Sequence, residues 1–281
     1  MLGGTFAPIG SGYDLGARAT QIRDALAARS PLTPFDMLEI QLDDRALLLT
    51  QWRARLLAVL DADALAESPA RSQVEHLLRS WDARASTGSV GYRIVRTFRD
   101  QTRGVMWQAI LHSLNLESSL APDAQFEEPL ARILDEKPAN FLPGGFQSWN
   151  RFLLAQVDAS IERLQSECGE LAACTWGRAN TVRIRHPLSA ALPFLSRFLD
   201  MPELPLPGDD DMPRVQHEAF GASERFAVSP GFEQQGLLAI AGGQSAHPLS
   251  PYYRAGFREW AEGTPVPLLP GTSEHRLVLV P

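Results

Sequence analysis

A chain of 281 residues with 44% apolar side chains can bury a large core, which excludes a disordered protein. The formal charge of −7 and the absence of any Lys/Arg-rich run argue against nucleic acid and anionic membrane as partners. No apolar stretch approaches the roughly 18 residues of a membrane span, and Met1–Phe6 lacks the basic and apolar regions of a signal peptide, so an acidic soluble protein is expected.

Gly3–Gly16 is rich in turn residues and leads into a helix expected over Ala17–Ala28. Thr33-Pro34-Phe35-Asp36 then supplies an N-cap, a proline at the first helical position and an acid three residues after the cap. Phe35, Leu38, Leu42, Leu49, Trp52, Leu56 and Leu60 share an apolar face, which predicts one long helix to about Asp61. Two further helices are predicted over Ser72–Ala83 and Val90–Leu114, the second capped by Ser89, and a short one near Glu128–Leu134. Trp149, Leu153, Val157, Ile161 and Leu164 define the buried stripe of a helix ending near Gly169.

Around Trp176-Gly177 the character changes. Ala179–Arg185 alternates as a strand would, a short helix is expected near Ala190–Leu199, and further strands over Arg225–Ser229, Leu237–Ala241 and Arg276–Val280. Gly242-Gly243 ends the Leu237–Ala241 strand with a tight polar loop. Pro251 is expected to open a helix that presents Tyr253, Phe257 and Trp260 on one side. The fold class is therefore α+β: a helix-rich region over 1–173 and a mixed strand and helix region over 174–281, making one structural unit. So few short strands make a thin sheet whose edges need cover, either from the helices or from strands outside this sequence.

Cys168 and Cys174 fit neither a zinc pattern nor a disulfide framework and read as two isolated thiols, with a bridge open to them in an exported protein. Ser245 and His247 stand two apart in a loop with no acid placed to orient the imidazole, and read as loop-ordering groups rather than a hydrolase pair. Asp209–Asp211 reads as a solvated acidic turn rather than a calcium loop, and Trp52, Trp107, Trp149 and Trp176 read as core rather than ligand platforms.

Leu204-Pro205-Leu206-Pro207-Gly208-Asp209-Asp210-Asp211, Gly221-Ala222-Ser223-Glu224-Arg225 and the loop Gly242–Arg254 together resemble the end of the catalytic β subunit of the penicillin acylase family. At the front, Arg18-Ala19-Thr20-Gln21-Ile22-Arg23 is similar to the segment where that family carries an active-site arginine at a helix start, and Arg18 takes its position. Trp149–Leu164 and Trp176-Gly177 resemble the family's helix and Trp-Gly turn. The resemblance covers nearly the whole chain but matches only the C-terminal part of the β subunit.

The resemblance implies part of a four-layer αββα sandwich of an N-terminal-nucleophile amide hydrolase, in which a Ser, Thr or Cys attacks with its own α-amino group as base. The oxyanion is held in that family by a backbone N–H and an Asn earlier in the subunit than anything matched here. Met1, Leu2 and Gly3 cannot serve as nucleophile, and Gly10-Ser11, Gly88-Ser89 and Gly271-Thr272 read as ordinary dipeptides, so the chain alone is expected to be inactive. Arg18 is then a supporting site residue; substrate-binding residues are not assigned. No metal is expected, because Thr5 stands where many members have the acid of a Ca2+ site and Asp14 is a poor replacement; Ca2+ belongs to the intact family enzyme. Ser229-Pro230 stands where related members often carry an acid, so that support for the nucleophile is not expected here. Implied partners are an upstream fragment of the same enzyme and a small-molecule amide, with β-lactam side chains or N-acyl homoserine lactones as candidate substrates. The implied location is periplasmic or secreted, and the alternative role is a non-catalytic structural subunit or split-gene product.

Overall fold

In the computed structural model, which describes residues 13–116 and 119–279, the apolar face expected as one helix from Thr33 to Asp61 is carried by two. Helix α1 (Ala17–Ala27) is followed by α2 (Pro34–Gln41) and α3 (Leu47–Val59). The break has a nonlocal cause. Ala46 N–H donates to Ala83 C=O (2.8 Å) and Ala85 N–H to Asp44 C=O (2.9 Å), so residues 44–46 spend their backbone groups on a neighbouring segment instead of a helix. Phe35 is consequently half exposed rather than part of a continuous buried stripe.

The start of α2 forms as its sequence dictates. Asp36 N–H donates to Thr33 Oγ1 and Thr33 N–H to Asp36 Oδ2, a reciprocal capping box with Pro34 in the first turn. The Thr33 hydroxyl also donates to Asp36 Oδ2 (2.6 Å), and this bond first, then that from Thr33 N–H, holds the Asp36 carboxyl below its usual range.

Contacts divide the chain into two units. The first takes the described residues up to Gln21 together with Asp44–Ala179; the second takes Ile22–Asp43 and the described residues from Asn180 onward. Besides α3, the first unit contains α4 (Ala62–Glu67), α5 (Pro69–Arg79), α6 (Val90–Ser113), α7 (Glu127–Glu136), α8 (Trp149–Cys168) and α9 (Trp176–Ala179). Helix α6 packs against α3, α5 and α8. Ser89 caps it by accepting from Tyr92 N–H, and Ile94, Val95, Phe98 and Met106 are buried along it. All five apolar residues of the α8 stripe are buried. Trp52, Trp149 and Trp176 are core residues, as expected, with Trp52 edge-on to Phe98 and Tyr92 edge-on to Trp176; half-buried Trp107 donates to Leu120 C=O. Arg71 fastens α5 to α8 through two bonds to Asp158 (2.8 and 2.7 Å), and also donates to Ala64 C=O and Glu67. These partners, Asp158 first, raise its pKa above the ordinary arginine value.

The two cysteines are not isolated thiols: Cys168 and Cys174 form a disulfide. Helix α8 stops at Gly169, whose positive φ of 84° turns the chain back, and a 3-10 turn over Leu171–Ala173 returns Cys174 to the helix end. Spacing along the sequence carries no sign of this reversal. Replacing both cysteines by serine is expected to cost about 2 kcal/mol, the loop-closure value for so short a loop. A shift in the urea midpoint checks it, with wild type under reductant matching the double variant.

In the second unit the Ala179–Arg185 strand does not form. Pro202, which would face Ile184, has no N–H to donate, and Ile184 C=O accepts from Met201 N–H (3.1 Å) instead, so pairing is limited to the single bridge Thr181↔Pro205. Val182 N–H reaches Leu204 C=O (2.9 Å) and Leu206 N–H reaches Asn180 C=O (2.7 Å). The buried Asn180 amide extends this by facing the carbonyls of Leu206, Gly208 and Gln216. Proline also divides the helix expected near Ala190–Leu199 into α10 (Pro187–Ala191), a 3-10 turn at Pro193–Leu195 and α11 (Ser196–Leu199).

Strands β1 (Gln216–His217) and β2 (Phe220–Gly221) form one antiparallel hairpin, and β3 (Glu224–Ala227) and β4 (Leu237–Ile240) another, in register Arg225↔Ala239 and Phe226↔Leu238. The last helix, α12 (Phe257–Glu262), begins later than expected. Residues 251–256 are turns, and Gly256 at φ 80° is the residue that enters the helix. Phe257 and Trp260 stack in the core beside Val182 and Leu206, whereas Tyr253 uses its hydroxyl on Leu199 C=O (2.7 Å). Among the described residues, the expected strand at Arg276–Val280 is absent too: Arg276–Leu279 is unpaired coil. The architecture is α+β, and no described helix is long and apolar enough to cross a membrane.

Candidate functional site

Arg18 lies in the first turn of α1, just after Gly16, whose φ of 81° sets the helix entry. Its Nη2 is 3.5 Å from Asp14 Oδ2, and its side chain is 38% exposed, enough to meet a second group. One turn on, buried Gln21 anchors the helix by donating to Arg45 C=O (3.2 Å). Asp14, the acid considered for a metal, is thereby engaged by Arg18 and by Leu15 N–H. Thr5 and Gly10-Ser11 lie outside the described residues. Among the described residues, no three of His, Cys, Asp and Glu are grouped to hold a metal ion.

The loop Gly242–Arg254 is ordered by its own polar groups. Gly243 N–H donates to Tyr253 C=O (3.0 Å), and a Cβ at Gly243 would fall 1.6 Å from Tyr252 O, so only glycine fits there. Ser245 Oγ accepts from His247 N–H (3.2 Å), and His247 Nδ1 accepts from Leu249 N–H (3.2 Å). Both side chains are spent on backbone, as their spacing suggests, and neither faces the other as nucleophile and base. Arg254 ties the loop's end to the carbonyls of Arg197 and Asp200. Between this loop and β4 lies a cleft of about 740 Å³, lined by Leu238, Ile240, Tyr252, Ala255, Val266 and the Gly242–Ser245 backbone.

A second grouping of Ser, His and Asp, not distinguished in the sequence, is also structural. Ser189 Oγ donates to Asp200 Oδ1 (2.5 Å) and to His186 C=O (2.7 Å), while His186 Nδ1 accepts from Leu188 N–H at the start of α10. The bond from Ser189 is the main reason that the Asp200 carboxyl sits below its usual range. Ser89 and Thr272 are equally removed from chemistry: Ser89 caps α6, and its carbonyl accepts from Trp176 N–H (2.8 Å) in the Trp-Gly turn, while Thr272 is exposed. Ser229 C=O accepts from Phe232 N–H in a turn.

The acidic turn differs from expectation. Asp209 is buried rather than solvated; its N–H donates to Arg214 C=O (3.2 Å) and its Oδ1 accepts from Asp210 N–H (2.8 Å). Gly208, at φ 89°, brings it there, since a Cβ would fall 2.1 Å from Arg214 O. Asp210 Oδ1 meets His217 Nε2 at 2.9 Å. The same region closes the C-terminal end of α12. Arg214 donates to the carbonyls of Ala261 and Glu262, Gln216 to Ala261, and Arg225 to Trp260 (2.6 Å). Arg225 is buried over the Trp260 ring, and its Nε and Nη2 have no hydrogen-bond partner among the described residues. Burial first, then the nearby Arg214, pushes its pKa down to about 10. These three residues were not distinguishable in the sequence, because their partners are backbone carbonyls far along the chain.

The sequence model of the penicillin amidase family matches residues 2–275. The chain belongs to the penicillin amidase family. Among curated proteins, the penicillin acylase 2 proenzyme of Pseudomonas sp. (strain SE83) is 27% identical over 267 residues, covering 90% of this chain. The chain spans 33% of that relative's length. In this family member the described residues thus supply a helical unit, the half-exposed Arg18 and the Gly242–Arg254 cleft, with Ser89, Ser189, His186, Ser245 and His247 engaged in caps and loops.

Proposed function

We propose that this chain is the C-terminal part of an amide hydrolase that cleaves linear C–N amide bonds through an acyl-enzyme. The observation that carries the reading is the family match along residues 2–275 in a chain spanning 33% of a penicillin acylase proenzyme. The nucleophile, an N-terminal Ser, Thr or Cys with its α-amino group as base, would come from polypeptide outside these residues. Arg18 would act as a positioning cation beside that centre, steadying an oxyanion donor or a substrate carboxylate. Its place at a helix start and its partial exposure support the role. The relative's name supports β-lactam side-chain amides over N-acyl homoserine lactones as the substrate class. The disulfide supports an oxidising compartment, periplasmic or secreted. A second reading, a non-catalytic structural subunit that binds a nucleophile-bearing fragment, is favoured by the exposed apolar run Leu277–Leu279.

The purified chain is expected to show no turnover of a chromogenic acyl-anilide, and to gain it when mixed with the polypeptide encoded directly upstream. In that mixture Arg18→Ala should lower kcat/KM by about 100-fold, with partial rescue by Arg18→Lys. Turnover by the chain alone that survives Arg18→Ala and is lost on changing a Ser or Thr within it would overturn the reading. A stable complex without turnover would favour the structural subunit.

A further inference from the structure

Cys168 and Cys174, the chain's two cysteines, differ in exposure and in the groups around them. Cys174 is wholly buried, and its Sγ lies 3.1 Å from Leu164 C=O, an acceptor that a thiol can use and a disulfide sulfur cannot. Cys168 is half-buried at the end of α8, where the buried Arg93 of α6 brings its Nη1 to 3.3 Å from Sγ. Arg178 Nη1 reaches Cys168 C=O (3.5 Å), so a second guanidinium meets the carbonyl end of the helix. The acids at this point are Glu167, which Arg93 shares with Arg163, and Glu170, exposed in the turn that follows. Three guanidiniums stand against two carboxylates here, and the charge closest to the Cys168 sulfur is positive, surroundings that favour a thiolate.

The S–S bond is also one of several ties across this turn. Arg93 donates to Thr175 C=O (3.4 Å) as well as to Glu167, and so bridges the two sides of the loop that the disulfide closes. Leu171, 1% exposed, pins the middle of that loop. Beyond it, Trp176 N–H and Gly177 N–H donate to Ser89 C=O (2.8 Å) and Thr87 C=O (2.7 Å). Opening the bond therefore leaves both sides fastened to α6, and each sulfur already has a partner for its reduced form.

We propose that Cys168–Cys174 is a thiol–disulfide exchange site, opened reversibly by a dithiol reductant while the helical unit stays folded. The proposal is independent of the amide hydrolysis proposed above. One thiolate of the reductant attacks Sγ of Cys168, the more exposed sulfur; the S–S bond breaks and its electron pair leaves on Cys174 Sγ, which takes up a proton and donates it to Leu164 C=O. The second thiolate attacks the sulfur of its own molecule in the mixed disulfide, and Cys168 departs as a thiolate beside Arg93. The two cysteines are reduced, the reductant is oxidised to its cyclic disulfide, and of its two protons one ends on Cys174 and the other in solvent.

The test treats the purified full chain with dithiothreitol in native buffer, alkylates it with iodoacetamide and reads each cysteine by peptide mass. The bond should be reduced without denaturant, the far-UV circular dichroism should be retained, and hydrogen exchange should rise only within Gly169–Cys174. Cys168 should label about 10-fold faster than the buried Cys174. At pH 7, Arg93→Gln and Arg178→Gln should each slow Cys168 labelling by about 3-fold, the net of a smaller thiolate fraction and a more nucleophilic thiolate. The gap should close by about pH 10, where wild type and both variants are thiolates, a crossing that a merely structural role would not produce. Arg178 is exposed, so its variant folds even where Arg93→Gln does not. Reduction that needs urea, or that removes the helical signal, overturns the proposal. Equal labelling of the two cysteines overturns it too, as does a Cys168 rate unchanged in every variant that folds.

Discussion

Glu127→Ala is expected to destabilise the protein by about 3–5 kcal/mol, the range for removing one partner of a buried charge pair. Glu127 stands in the first turn of α7 and is 3% exposed. Its carboxylate accepts from Trp52 Nε1 (2.6 Å) on α3 and from Arg99 Nε (3.1 Å) on α6, and Arg99 Nη2 lies 3.0 Å from Oε2. One carboxylate therefore links three helices of the first unit. Removing it strands a buried indole N–H and takes away the anion that the buried Arg99 faces, which costs more than the bonds contribute in the intact protein. Glu127→Gln keeps an acceptor for Trp52 and loses the charge, so its cost should be smaller, about 2 kcal/mol. The double change Arg99→Met with Glu127→Leu should recover most of the loss, because an apolar pair of similar volume leaves no charge to bury. Urea unfolding of the three variants checks this ordering. A double variant no more stable than Glu127→Ala would show that α7 is held by packing rather than by this network.

The elements legible in the sequence are those whose cause is local. Ser89 and Thr33 each cap a helix within three residues of themselves, and the α8 stripe follows from spacing alone. The failures all have distant causes. Residues 42–46 leave the helix because of pairing with 83–85, and Ala179–Arg185 fails as a strand because Pro202, opposite Ile184, has no N–H for the ladder. The reversal at Gly169 that joins Cys168 to Cys174 is equally invisible in their spacing. The same division runs through the site. The internal bonding of Ser245 and His247 was readable. The burial of Asp209 and the closure of α12 by Arg214, Gln216 and Arg225 were not, since charge in a sequence predicts exposure and here meets backbone carbonyls instead.

Arg225→Met is expected to stabilise the protein by about 1–2 kcal/mol at neutral pH. Arg225 is 2% exposed, with two of its three guanidinium nitrogens lacking a hydrogen-bond partner among the described residues and Arg214 as its charged neighbour. A pKa pushed down from the ordinary arginine value to about 10 means that the folded state disfavours the charged form, a gross penalty of about 3 kcal/mol. Against it stand the bond to Trp260 C=O and the contact with the Trp260 ring, together worth roughly 1–2 kcal/mol. Methionine fills the space and carries no charge. The sign with pH follows from linkage. The folded pKa is the lower one, so the penalty is complete below pH 10 and is relieved as pH rises from there to the ordinary arginine value. Wild type should therefore gain on the Met variant between those limits, and the difference in urea midpoint measured at pH 7, 9 and 11 should shrink at the last. A Met variant less stable than wild type at pH 7, with no such closing of the gap, would mean that Arg225 is kept for its hold on the end of α12, the helix that follows the cleft loop.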